Sequence, residues 1–128
     1  MNTDATGRYS AMYKPFHLIG LELNVSILSA AILGRPTGST QGFNADVVAV
    51  AKSDLSVGQV LDGEGGFCVW GKLMPAKTSL AHGGLPIGLA HGVALKNNIP
   101  KGSVLTWSDV AIDTTTQACK VRKEMAAM

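Results

Sequence analysis

Aromatic residues make up only 5% of this 128-residue chain and charged residues only 16%, and both shortages close off classes of function. A nucleic-acid reader needs a basic stripe that neutralises phosphates, with rings on which bases stack. Here the net charge is +2, and the basic residues are scattered apart from Lys120, Arg122 and Lys123. Nucleic acid is therefore excluded as a partner. Only two cysteines occur, Cys68 and Cys119, without CxxC spacing; they are expected to be free, mostly buried thiols. No GxGxxG fingerprint is present. Gly63-Glu64-Gly65-Gly66 lacks that spacing and the long helix that would supply an anion site, so it reads as a hairpin turn. Without a dinucleotide-binding βαβ unit these residues cannot house hydride chemistry by themselves. No cofactor is expected on this chain, and no NADH or NADPH binding.

The longest apolar stretch, Pro15 to Gly34, carries His17, Glu22 and Asn24 within it, and no clear small-x-small cleavage site follows. Those features argue against a signal peptide and against a spanning helix. The expectation is a cytoplasmic protein with no membrane partner.

What is present is a globular, unusually apolar composition, 46% hydrophobic. A small domain with so few charges commonly hides part of its surface against another subunit or domain. Residues 1–12 read as a polar leader. From Phe16 to Leu33, Leu18, Leu21, Val25, Leu28 and Ile32 recur at helical spacing, and Ile19, Leu23 and Ile27 form a neighbouring stripe. Such a helix needs burial on two sides. His17 and Glu22, five apart on it, are not expected to share a face. The Gly- and Pro-rich segment 34–42 ends the helix, placing a boundary between residues 1–42 and a domain over 43–128.

The second unit contains a repeat. Lys52-Ser53-Asp54-Leu55-Ser56-Val57-Gly58-Gln59-Val60-Leu61 returns in fixed register as Lys96-Asn97-Asn98-Ile99-Pro100-Lys101-Gly102-Ser103-Val104-Leu105. Matched Lys, Gly, Val and Leu imply two copies of one supersecondary unit about a pseudo-two-fold axis, with Gly58 and Gly102 at turn positions of positive φ. Short strands are expected near 46–51, 59–62, 67–73, 92–96 and 103–106, and a short C-terminal helix capped within Thr114–Thr116, with Ala118, Val121 and Met125 along it. The fold class is mainly β, preceded by one apolar helix and followed by a short one. Trp70 and Trp107 are expected to anchor the core.

Chemistry-bearing residues are few. His82 and His91 flank a loop with three glycines and a proline; two histidines without a third ligand do not make a metal site, so none is assigned. Together with Glu64 beside the other Gly-rich turn, they are the candidate ligand-binding residues, because backbone at glycines lets a small polar ligand approach. Glu64, Lys72, Asp109 and Trp70 could line a cleft, but no triad or carboxylate pair is identifiable. No catalytic residue is assigned.

The second copy, Val93-Ala94-Leu95 through Ile99-Pro100-Lys101-Gly102-Ser103-Val104-Leu105 and on to Thr106-Trp107-Ser108-Asp109-Val110, resembles the SAF (antifreeze-like) family, which implies a β-clip fold. Tyr13 to Glu22, Phe43 to Lys52, Asp62 to Leu73 and Leu85 to Gly92 together resemble the C-terminal region of homoserine-dehydrogenase-like NAD(P)-dependent oxidoreductases, a group that includes deoxyxylulose-phosphate-reductoisomerase-like enzymes. That resemblance implies a non-catalytic C-terminal module serving assembly or shaping a substrate site, with NAD(P) held on a separate N-terminal domain. The partners it implies are an oxidoreductase core domain or further copies of the chain, met through the apolar helix. Alternatives are a free-standing binding module for a sugar acid or sugar phosphate, and a chaperone of the flagellar P-ring-assembly type.

Overall fold

The computed structural model describes residues 3–128. The chain divides into two compact units, one ending at Thr40 and the other beginning at Gln41.

In the first unit the Asp4 carboxylate accepts the amides of Thr6, Arg8 and Tyr9 and so folds a polar turn. Helix α1 then runs Ile19–Leu33, three residues later than the apolar pattern begins. The reason lies at Glu22: its side chain accepts the Leu18 amide and binds Lys14 and His17, which fixes the preceding residues outside the helix. His17 therefore does reach Glu22, at 2.8 Å, because it lies on non-helical backbone. Gly34 ends α1 with φ +62 and returns its amide to Ser29. Two of the helix's few polar side chains are already engaged, Ser26 with Thr37 and Ser29 with the Arg35 carbonyl. None of the residues of α1 is buried. Among the described residues no helix is long and apolar enough to cross a membrane.

The second unit contains β1 (Ala45–Ala51), β2 (Val60–Asp62), β3 (Val69–Pro75), α2 (Ala76–His82), β4 (His91–Leu95), β5 (Val110–Ala111) and α3 (Gln117–Ala126). Strands β1 and β3 pair antiparallel, and β4 lies between β2 and β5 in a second antiparallel sheet. The repeat is visible bond by bond. Leu55 and Ile99 exchange both backbone hydrogen bonds at 2.9 Å, and each lies at the same place in its copy. The Gly58 amide donates to Leu95 just as the Gly102 amide donates to Ala51. Both glycines have φ +82, a left-handed conformation that a Cβ would strain. The Asp54 side chain accepts the Lys101 amide across the axis, and Asn98, its counterpart, accepts the Val57 amide, both at 2.8 Å. Matched turn residues thus clasp each other about the pseudo-two-fold axis of a β-clip.

The core sits on that axis. Leu61 with Leu105, Leu55 with Ile99 and Ala51 with Leu95 are buried residues at matched places of the two copies, and Val69 and Val110 join the same cluster. Trp107 packs against this cluster. Trp70 does not: it is 44% exposed, because β3 pairs on one side only and Val69, the neighbouring residue, points inward. The 103–106 segment forms single bridges, Val50 to Val104 and Gly84 to Thr106, rather than a strand.

Two helices close the unit against β1. Segment 76–82, too short to show a helical apolar period, forms α2 and places Ser79 fully in the interior. Thr116 caps α3, and the side chains that the helix buries are Cys119 and Arg122. The cause is a buried ion pair. The Arg122 guanidinium donates to Asp46 Oδ2 at 2.5 Å and lies over the Phe43 ring at 4.4 Å, while the Ser79 hydroxyl donates to the same carboxylate oxygen.

Candidate functional site

The polar residues with a constrained geometry gather at the start of β4. Gly83, with φ +61, ends α2, and Leu85 fills the core. Pro86 opens a single 3₁₀ turn over Ile87–Leu89, and β4 begins at His91. Opposite His91 in the β2–β4 ladder stands Asp62. The His91 ring is held from that side, with Nδ1 3.0 Å from the Asp62 carbonyl oxygen. A carbonyl only accepts, so Nδ1 carries the proton. Gly63 lies so close that a Cβ there would approach Nδ1 to 2.8 Å. A side chain at residue 63 would displace the ring.

The same turn is held by the Asp62 carboxylate. It accepts the Phe67 amide at 2.5 Å and the Cys68 amide at 2.9 Å, and those two bonds, Phe67 first, lower its pKa to about 2. A carboxyl lowered on folding stabilises the fold fully above its ordinary value of 3.8, and that contribution is lost as pH falls through about 2. The turn over residues 62–68 is expected to loosen only within that acid window. The amide signals of Phe67 and Cys68 followed by NMR on acidification would show it; Asp62→Ala is expected to bring the loosened state to neutral pH and free the His91 ring.

In front of His91 lies a cavity of about 450 Å³. One wall is Leu89, His91 and Val93; the other is Ile112, Asp113 and the first turn of α3, including Ala118 and Cys119. Pairing of β4 with β5, Ala94 opposite Ala111, brings these walls together. Asp113 Oδ1 accepts the amide and hydroxyl of Thr115, which first holds its carboxyl below the ordinary carboxylate range. Thr116 is occupied in capping α3, taking the Cys119 amide and giving its hydroxyl to the Asp113 carbonyl.

Of the three residues singled out by sequence, His91 lines this cavity, whereas His82 and Glu64 are not among its lining residues. His82 ends α2, and Glu64 lies at the exposed tip of the turn that backs His91. Asp113 was not singled out, and Ala118 was placed only along the C-terminal helix. The local signal for Asp113 was its turn pattern with Thr115, but nothing local ties it to a histidine more than twenty positions earlier. Cys68 and Cys119 are both free thiols; Cys119 is buried and Cys68 half-buried. Among the described residues no group of His, Cys, Asp or Glu is placed to hold a metal ion.

The Thr106-Trp107-Ser108-Asp109-Val110 segment has a mechanical role beside the site. Thr106 and Asp109 form a reciprocal capping box around a 3₁₀ turn that launches β5. The SAF domain model matches residues 46–111 of the chain, from β1 to β5. Comparison with curated proteins gives no match.

Proposed function

Because this chain belongs to the SAF domain family, we propose that it is a non-catalytic SAF module of an NAD(P)-dependent oxidoreductase, serving its assembly and shaping the mouth of its substrate site. The observation that carries the assembly role is α1. Ile19, Leu21, Leu23, Val25, Ile27, Leu28, Ile32 and Leu33 are all at least half exposed. At 3.6 residues per turn these positions fall on every side of the helix. A helix apolar all round is a buried helix, so α1 seats in an oxidoreductase core domain or among further copies of the chain. The quoted likeness of segments 13–22, 43–52, 62–73 and 85–92 to the C-terminal region of homoserine-dehydrogenase-like enzymes supports the oxidoreductase part.

Sedimentation of the full chain at micromolar concentration is expected to give a dimer or larger assembly. The triple variant Leu21→Glu/Val25→Glu/Leu28→Glu is expected to be monomeric with an unchanged β signal in circular dichroism. Calorimetric titration with NADH or NADPH is expected to show no binding. A monomeric wild-type chain would rule out further copies as the seat of α1, an assembly that persists in the triple variant would overturn the role of α1, and saturable submillimolar nucleotide binding would overturn the non-catalytic reading.

A further inference from the structure

We propose that the cavity between β4 and α3 is a binding site for a small neutral polyhydroxy compound, a monosaccharide or polyol, in preference to a sugar acid or phosphate. This assignment stands apart from the docking role of α1 and does not depend on it. At about 450 Å³ the cavity lies within the size range of small-molecule sites. Leu89, Val93 and Ile112 give it an apolar wall that suits the C–H face of a sugar. Its polar groups are of a particular kind. With Nδ1–H committed to the Asp62 carbonyl, His91 Nε2 is a hydrogen-bond acceptor whenever the ring is uncharged, the form to which the contrast with anions applies. The Asp113 carboxylate, which also lines the cavity and accepts from Thr115 through Oδ1, is a second acceptor. Ala118 lines the cavity in the first turn of α3, where helix geometry leaves an amide without an intrahelical acceptor, and so it supplies a donor. Hydroxyl groups both donate and accept, so a polyol satisfies all three. An ionised carboxylate or phosphate offers acceptors only to His91 and meets Asp113 with like charge.

The test is NMR titration of the full chain with ribose and ribitol as neutral probes, and with gluconate and glucose 6-phosphate as acidic ones. Saturable shifts at His91, Asp113 and Ala118 are expected with a neutral probe, and affinity for the acidic probes is expected to be about tenfold weaker or less. Asp113→Asn is expected to narrow that gap by removing the charge. Ala111→Trp, at an exposed position on the cavity rim, is expected to abolish the shifts while the remaining amide spectrum is kept. The proposal is overturned if neither neutral probe shifts these signals saturably, if an acidic probe binds the wild-type chain as tightly, or if binding survives in Ala111→Trp.

Discussion

Asp46→Ala is expected to lower the unfolding free energy by about 3–5 kcal/mol, because it leaves the Arg122 guanidinium buried without its counter-charge. Asp46 is only 8% exposed, as is Arg122. The carboxylate serves three elements at once: it binds Arg122 of α3, takes the hydroxyl of Ser79 on α2, and accepts the Val47 amide on its own strand. Removing it unfastens both helices from β1. Converting the cluster together, Asp46→Leu with Ser79→Ala and Arg122→Met, is expected to recover most of the loss, since an apolar cluster carries no desolvation penalty and leaves no buried hydroxyl unpaired. Urea unfolding of the two variants, read at constant m-value, tests this. A loss below about 1 kcal/mol for Asp46→Ala is the value of a surface ion pair and would show the lock to be open in solution. Because α3 also forms one wall of the cavity, the single variant is expected to lose ligand binding along with stability.

Leu61→Ala and Leu105→Ala are each expected to cost about 2–5 kcal/mol, and similar amounts. The two leucines occupy matched places in the repeat, are 1% and 0% exposed, and belong to one core cluster on the pseudo-two-fold axis. Since they share that core, the double variant is expected to depart from the sum of the singles. Denaturant unfolding of the three variants gives the comparison. If one leucine cost several kcal/mol and the other almost nothing, the core would belong to one copy, and the two-fold packing described above would be wrong.

The repeat was legible because its residues act locally. Gly58 and Gly102 mark left-handed turns, Leu55 and Ile99 pair across the axis, and Leu61 and Leu105 point inward; each choice constrains only a few neighbouring residues. The apolar character of α1 was legible for the same reason, although its start was not. The clasp of Lys14 and His17 on Glu22 depends on chain outside the helical period. Trp70 was misplaced because aromatic content favours burial, whereas its position on a strand paired along one edge decides its exposure. On α3, the helix itself was legible from its cap, but the inward Arg122 was not, because its partner Asp46 lies on a strand far along the chain.

By itself, then, the sequence determined a mainly β unit with an internal two-fold, an apolar helix before it and a short helix after it, because periodicity and turn chemistry are short-range and repeat wherever the same residues recur. The cavity and the lock were decided only by tertiary structure. His91 and Asp113 line one cavity because β4 pairs with β5, and Asp46 meets Ser79 and Arg122 because α2 and α3 dock on the same strand. Such meetings depend on strand register and helix docking, which are set by the free energy of the whole packed core and not by any pattern within one segment.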